Sequence, residues 1–189
     1  MKYPEIIKLF KARNIKVFSN IIFQQVTSLN YEAAKSILWR YKKRKLLTSP
    51  KRGFYYFLEF PPHNYELANI LYNPSYISFE TVLSEHGIIP EVVYPVISAT
   101  TKPTRMFEFQ ERVFKYLKIK KQAFTGYSKK ENCLVADPEK ALADYLYFVS
   151  LGKKKLNDRL ELSRINRPLL KKYAVMFKNK NLDELIKKI

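Results

Sequence analysis

The sequence predicts an α+β chain of two parts, and three observations carry that reading. The first is charge. Of 189 residues, 35 are Lys or Arg and 17 are Asp or Glu, for a formal net charge of +18. The excess sits at the ends: residues 1–60 hold 13 basic and 3 acidic side chains, 61–150 hold 10 of each, and 151–189 hold 12 and 4. A charge serving solubility would be spread evenly; this one reads as two polyanion-facing surfaces flanking a neutral segment with a different task. The second is the order helix, helix, turn, helix, hairpin in the first 60 residues. The third is Pro61-Pro62, after which strand-like runs alternate with helix-start signals. The division that follows is a small basic module over 1–60 and a mixed α/β domain over 61–189, with a basic helical tail over 151–189.

Pro4 to Ala12 places Ile6, Ile7, Leu9 and Phe10 at helical spacing, and Asn14 ends that helix. Ser19 is the N-cap of a second helix with apolar members Ile21, Ile22 and Val26, and Thr27 to Asn30 form a turn. Asn30 caps a third, longer helix reaching about Lys45. At 100° per residue, Ala34, Ile37, Leu38 and Tyr41 fall on one side of it and Glu32, Ser36, Trp39, Arg40 and Lys43 on the other. Leu46-Leu47 and Phe54 to Leu58 read as short strands joined by a loop from Thr48 to Gly53 that carries Lys51 and Arg52. Such an order is that of a winged helix-turn-helix.

The run Trp39-Arg40-Tyr41-Lys42-Lys43-Arg44-Lys45 has a plain reading as a solvated helix end whose cations suit the C-terminal dipole. Three features favour DNA contact instead. The cations lie on the element that a helix-turn-helix puts in the major groove, the hairpin tip adds two more, and neutralising acids are nearly absent. The expected contact set is Tyr31, Lys35, Ser36, Trp39, Arg40, Lys42, Lys43, Arg44, Lys51 and Arg52. Within it, Ser36, Trp39 and Arg40 are placed to reach base edges, with Tyr31, Lys35 and also Glu32 near the helix start, and Lys43, Lys51 and Arg52 are assigned to phosphate.

After Pro61-Pro62, Tyr65 to Leu71 reads as a short helix or an extended connector. Ser78 is expected to cap a helix that Gly87 stops, Val92 to Thr100 to form a strand, and Lys102 to Arg105 a turn. Met106 to Phe109, Val113 to Ile119 and Asn132 to Ala136 are further strand candidates. Asp137-Pro138-Glu139 combines an N-cap, a proline at the first helical position and a first-turn acid. The helix it opens carries Ala141, Leu142, Tyr145, Leu146 and Val149 on an apolar face and ends near Gly152. The tail is expected to be helical, with starts near Asn166 and Asn181.

Taken together, the basic hairpin module, the block Pro74-Ser75-Tyr76-Ile77-Ser78 running on to Leu83-Ser84-Glu85-His86-Gly87, the strand ending Ser98-Ala99-Thr100-Thr101, and the block Asp137-Pro138-Glu139-Lys140-Ala141-Leu142-Ala143-Asp144 resemble the AbiEi family. Its members are antitoxins and transcriptional regulators of type IV toxin-antitoxin and abortive-infection systems. The resemblance covers most of residues 15–150, and Ser75 to Gly87 is its most specific part. It implies a DNA-binding antitoxin that represses its own operon through the N-terminal domain and counteracts a nucleotidyltransferase-like toxin through the C-terminal domain. The implied partners are an inverted-repeat operator in duplex DNA and that toxin. One departure stands out: the family often has a glycine between the third helix and the wing, where this chain has Arg44-Lys45-Leu46.

Chemistry for an enzyme is not legible. A single cysteine, Cys133, and two histidines, His63 and His86, fit no zinc spacing, and four glycines leave no phosphate-cradling loop, so neither a metal nor a cofactor is expected. His86 reads as a capping or packing residue, and Asp137 and Asp144, seven residues apart on one helix, are separated by about 10 Å of rise. A stand-alone regulator, a metal-dependent nuclease and an RNA-binding protein are the alternatives, the last because Tyr and Phe together number 27 and interleave with basic residues, as in Lys51 to Tyr56. The chain opens without an apolar signal region and has no apolar run of about 18 residues, which leads to the expectation of a cytoplasmic, nucleoid-associated protein without a membrane partner.

Overall fold

A computed structural model describes residues 2–189. The described residues form a mixed α+β structure with eight α-helices and two sheets. Two compact units divide between Leu67 and Ala68, inside a helix, some residues beyond the Pro61-Pro62 boundary expected from sequence.

In the first unit, α1 (Tyr3–Ala12) opens with Glu5 accepting from the backbone N–H of Lys2 at 2.7 Å and buries Ile6, Ile7 and Phe10. β1 (Phe18–Ser19) leads directly into α2 (Asn20–Thr27), where the Ser19 hydroxyl accepts from the Ile22 N–H at 3.3 Å. α3 (Tyr31–Lys43) starts on Asn30, whose side chain accepts from the Ala33 N–H at 2.9 Å. β2 (Leu47–Lys51) and β3 (Phe54–Phe57) form a hairpin turned by Arg52-Gly53, tighter than the six-residue loop expected. Gly53 takes φ +84 there, a value that suits glycine.

β1 pairs with β3 to complete a three-stranded sheet, β1-β3-β2, a pairing that sequence reading missed. The core is aromatic: Phe10 meets Phe18 at 4.5 Å and Phe57 at 5.3 Å between ring centroids, and Phe23 stacks beside both Phe10 and Phe18. Ile21, counted among the apolar members of this helix, is 66% exposed, and Phe23 takes the inward position. Two residues span 200° of a helix, so burying Phe23 turns Ile21 to solvent.

The helix α4 (Asn64–Leu71) spans the division between the units. The second unit is built on a six-stranded mixed sheet, β6-β7-β5-β4-β9-β8. Its strands are β4 (Ser75–Ile77), β5 (Val96–Thr100), β6 (Arg105–Phe109), β7 (Arg112–Lys118), β8 (Tyr127–Lys130) and β9 (Cys133–Ala136). β4/β9 and β5/β7 pair in parallel, the others antiparallel. α5 (Phe79–Glu85) follows β4, and α6 (Pro138–Ser150) follows β9, packing against α5, α7 (Arg167–Val175) and α8 (Lys180–Lys188).

Several expectations change here. Residues 92–95 are not strand, and Val92 and Tyr94 stand exposed. β8 was not expected, because Tyr127-Ser128-Lys129-Lys130 lacks apolar alternation; it is an edge strand whose exposed lysines discourage further pairing. α6 is buried on all sides from Glu139 to Phe148 rather than on one face. Residues 151–166 hold no helix, and α8 is capped by Asn179, which accepts from the Leu182 N–H at 2.9 Å, not by Asn181.

Candidate nucleic-acid interface

α3 divides cleanly. Ala34, Ile37, Leu38 and Tyr41 are buried against the rest of the first unit, while Tyr31, Glu32, Lys35, Ser36, Trp39, Arg40, Lys42, Lys43 and Arg44 are all exposed. Burial holds the Tyr41 hydroxyl above its ordinary pKa, with Arg40 and Arg44 pulling against that shift, so this phenol is a neutral core group. The two aromatic side chains on the outer face are conspicuous: Trp39 is 61% exposed and Tyr31 is 53% exposed.

Cations flank both rings. Lys43 Nζ lies 5.2 Å from the Trp39 ring and Lys35 Nζ 5.8 Å from the Tyr31 ring. A groove of about 230 Å³ runs between α3 and β3, lined by Asn20, Lys35, Leu38, Trp39, Lys42 and Tyr55. Lys35, Trp39 and Lys42 thus share one concave surface. Asn20 and Tyr55 belong to it as well and were not among the expected contacts; their place, one residue past the cap of α2 and midway along β3, gave no signal by residue type. At the hairpin turn, Lys51 and Arg52 are exposed and Lys51 Nζ stands 5.9 Å from the Phe54 ring.

Cations outnumber acids on this surface, where Glu32 is the one acid on the outer face of α3. Among the described residues Arg40, Lys42, Lys43, Arg44 and Arg52 form no salt bridge, and the pairs present in this unit, Lys11 with Glu59 and Lys16 with Glu66, lie on other elements. α3 ends in a complete Schellman arrangement: the Leu46 N–H donates to the Tyr41 carbonyl at 2.9 Å and the Lys45 N–H to the Lys42 carbonyl at 3.0 Å. Its left-handed residue is Lys45, at φ +54. This is the segment where the resemblance calls for a glycine.

In the second unit, the two aspartates weighed for chemistry, Asp137 and Asp144, are each engaged by other side chains. Asp144 is fully buried and accepts from the hydroxyls of Tyr76 at 2.9 Å and Ser78 at 2.7 Å and from the ammonium of Lys140, itself fully buried. Burial pushes the Asp144 carboxyl up and the Lys140 ammonium down, each opposed by the other's charge. Ser78 and Asp137 occupy the N-cap positions of α5 and α6 as expected, but neither side chain makes the cap hydrogen bond: the Ser78 hydroxyl goes to Asp144, and the Asp137 carboxylate accepts from the Tyr173 hydroxyl at 2.8 Å. Gly126 lets these groups close up, since a Cβ there would fall 2.6 Å from the Tyr173 ring and 2.9 Å from the Lys140 side chain. His86 is exposed at the end of α5. Among the described residues no group of three His, Cys, Asp or Glu side chains is placed to hold a metal ion, and no helix is long and apolar enough to cross a membrane.

The chain matches no family model, and no curated protein matches it at a significant level.

Proposed function

We propose that the first unit is a winged helix-turn-helix that binds duplex DNA, with α3 in the major groove and the tip of the β2–β3 hairpin on the backbone. We further propose that the protein is the antitoxin of a type IV toxin-antitoxin pair. In this reading the basic module represses its own operon and the second unit counteracts a nucleotidyltransferase-like toxin. The observation that carries the DNA reading is the two-sidedness of α3: one face closes an aromatic core, while the other presents Trp39, Arg40, Lys42, Lys43 and Arg44 to solvent without acidic partners. The antitoxin reading rests on the sequence blocks 75–87 and 137–144.

The test is binding of the full chain to the DNA upstream of its own gene, as duplex and as single strand at matched salt. About six cations on phosphate give a slope of log affinity against log salt near −5. With one such helix per chain, specific binding takes two copies on an inverted repeat whose half-sites lie one helical turn or a multiple apart. A flat salt response contradicts the reading. Preference for the single strand supports instead a stacking mode, which the exposure of Trp39 and Tyr31 favours as the second reading. For the antitoxin half, a full-length Arg40→Ala, Lys43→Ala variant is expected to lose repression while still protecting cells that express the neighbouring toxin gene. Loss of protection along with repression would place neutralisation in the first unit.

A further inference from the structure

The basic tail was left without a role by the DNA reading, and its two helices form a surface with a definite shape. α7 contributes Lys171, Ala174 and Val175, and α8 contributes Asp183, Ile186 and Lys187, to a groove of about 360 Å³ between them. Each helix supplies the same i, i+3, i+4 stripe, so the groove runs along the seam of a helical pair. Ala174 and Ile186 are buried and make its floor. Val175 lies 100° round α7 from Ala174, which turns it away from the core, and it stands 65% exposed at the groove's edge.

Around this apolar seam the charge is strongly positive. Residues 167–188 carry seven basic and two acidic side chains, and Lys171, Lys172, Lys187 and Lys188 are all exposed. Among the described residues none of these four lysines forms a salt bridge. Asp183 is the one acid in the lining, set against Lys171 and Lys187.

We propose that the groove between α7 and α8 docks an acidic, amphipathic segment of a partner protein. The pairing of features selects the occupant. A nucleic acid would satisfy the lysines but would set phosphate and sugar against Val175 and the apolar floor, desolvating charge for no return. An amphipathic helix or turn that carries Leu or Phe on one face and Glu or Asp beside it fills the seam and meets the rim together. The volume lies within the range of ordinary binding pockets. This rests on the part of the proposed function that gives the second unit a protein partner, and it names where, and through what chemistry, that partner is held.

The probe is a fluorescently labelled 16-residue peptide with Leu at i, i+3, i+4 and i+7 and Glu at most remaining positions. A control peptide of equal charge has Ser in place of Leu. Both are titrated against the full chain at physiological salt. The Leu/Glu peptide is expected to bind saturably and at least tenfold more tightly than the Ser/Glu control. Val175→Glu, a change at an exposed position, should weaken it at least tenfold with an unchanged circular dichroism spectrum, and Lys171→Glu should act in the same direction. Duplex DNA affinity should stay within twofold in both variants. Equal binding of the two peptides, no saturable binding of the Leu/Glu peptide, or indifference to Val175→Glu overturns the proposal. So does a selective loss of DNA binding in Val175→Glu, which would make the groove a nucleic-acid surface. None of these results bears on α3 or on protection from the toxin, which are measured separately.

Discussion

The Ser78 hydroxyl donates to the Asp144 carboxylate at 2.7 Å, joining residues 66 apart in sequence and, with them, the two sequence blocks on which the family resemblance rests. Tyr76 and Lys140 complete the set around the same carboxylate, and all four side chains are fully buried. Through Asp144 these side chains tie the end of β4 to α6.

That tie predicts an asymmetric mutational response. Asp144→Ala leaves the Lys140 ammonium buried without its counter-ion and should cost about 3 to 5 kcal/mol of stability. Replacing both partners, Lys140→Met with Asp144→Leu, removes the charges together and should cost clearly less than Asp144→Ala alone. Chemical denaturation followed by tyrosine fluorescence and circular dichroism reads both. A loss below about 1 kcal/mol for Asp144→Ala would show that the pair does not hold the unit together.

The alkaline side of the stability curve should report Tyr173. Burial, then its hydrogen bond to Asp137, pushes the phenol up to about 12. A folded-state pKa above the unfolded value near 10 means that the unfolded chain releases this proton first. The contribution of Tyr173 is then complete below pH 10 and lost as pH rises through about 12. Tyr173→Phe should flatten the fall in stability over that window relative to the parent protein. An unchanged slope would mean that Tyr173 ionises equally in both states.

At the end of α3 a lysine occupies a conformation that glycine adopts at no steric cost. Lys45 sits at φ +54 inside the Schellman turn, where left-handed backbone costs a side-chain-bearing residue about 1 kcal/mol or more. Lys45→Gly should raise the melting temperature of the first unit or leave it unchanged, whereas Lys45→Val, β-branched at the same φ, should lower it. A drop with glycine would indicate that the side chain of Lys45 contributes more than its backbone costs.

Which parts of this architecture are legible in the sequence follows from the range of the forces involved. The two faces of α3 and the caps Ser19 and Asn30 are local, set by helical period and by a side chain that reaches three residues on, and they appear in the structure as read. Ser78 and Asp137 carry the same local signal, yet their side chains turn to Asp144 and Tyr173, because a buried carboxylate or phenol without a partner costs more than an unfilled cap. β1 is two residues long and exists only through pairing with β3, which no local pattern records. The exposed residues of the outer face of α3 were legible for the same reason as its faces; Asn20 and Tyr55 gave no signal, since the groove they line forms only when α2, α3 and β3 come together.

Trp39 separates binding from folding. It is 61% exposed, so Trp39→Ala should move stability by no more than about 0.5 kcal/mol. The same change should weaken DNA binding several-fold, because the exposed ring is lost from the outer face and the Lys43 ammonium loses the π-face beside it. Stability falling by several kcal/mol would mean that the indole is part of the core.

Base reading by the outer face of α3 and phosphate contact by the hairpin tip, as proposed, leave different marks on affinity when each is altered in turn. Affinities of the parent protein, Arg40→Ala and Lys51→Ala are measured at one salt concentration on the operator duplex, on operators altered one base pair at a time, and on unrelated duplex. Arg40→Ala should cost about 1 to 3 kcal/mol on the operator, lose little on unrelated DNA and relax the preference at one position of each half-site. Lys51→Ala should weaken every duplex alike and reduce the salt slope by about 1. Equal, sequence-blind losses from the two substitutions, or no loss from either, would contradict the assignment of α3 as the element that reads DNA.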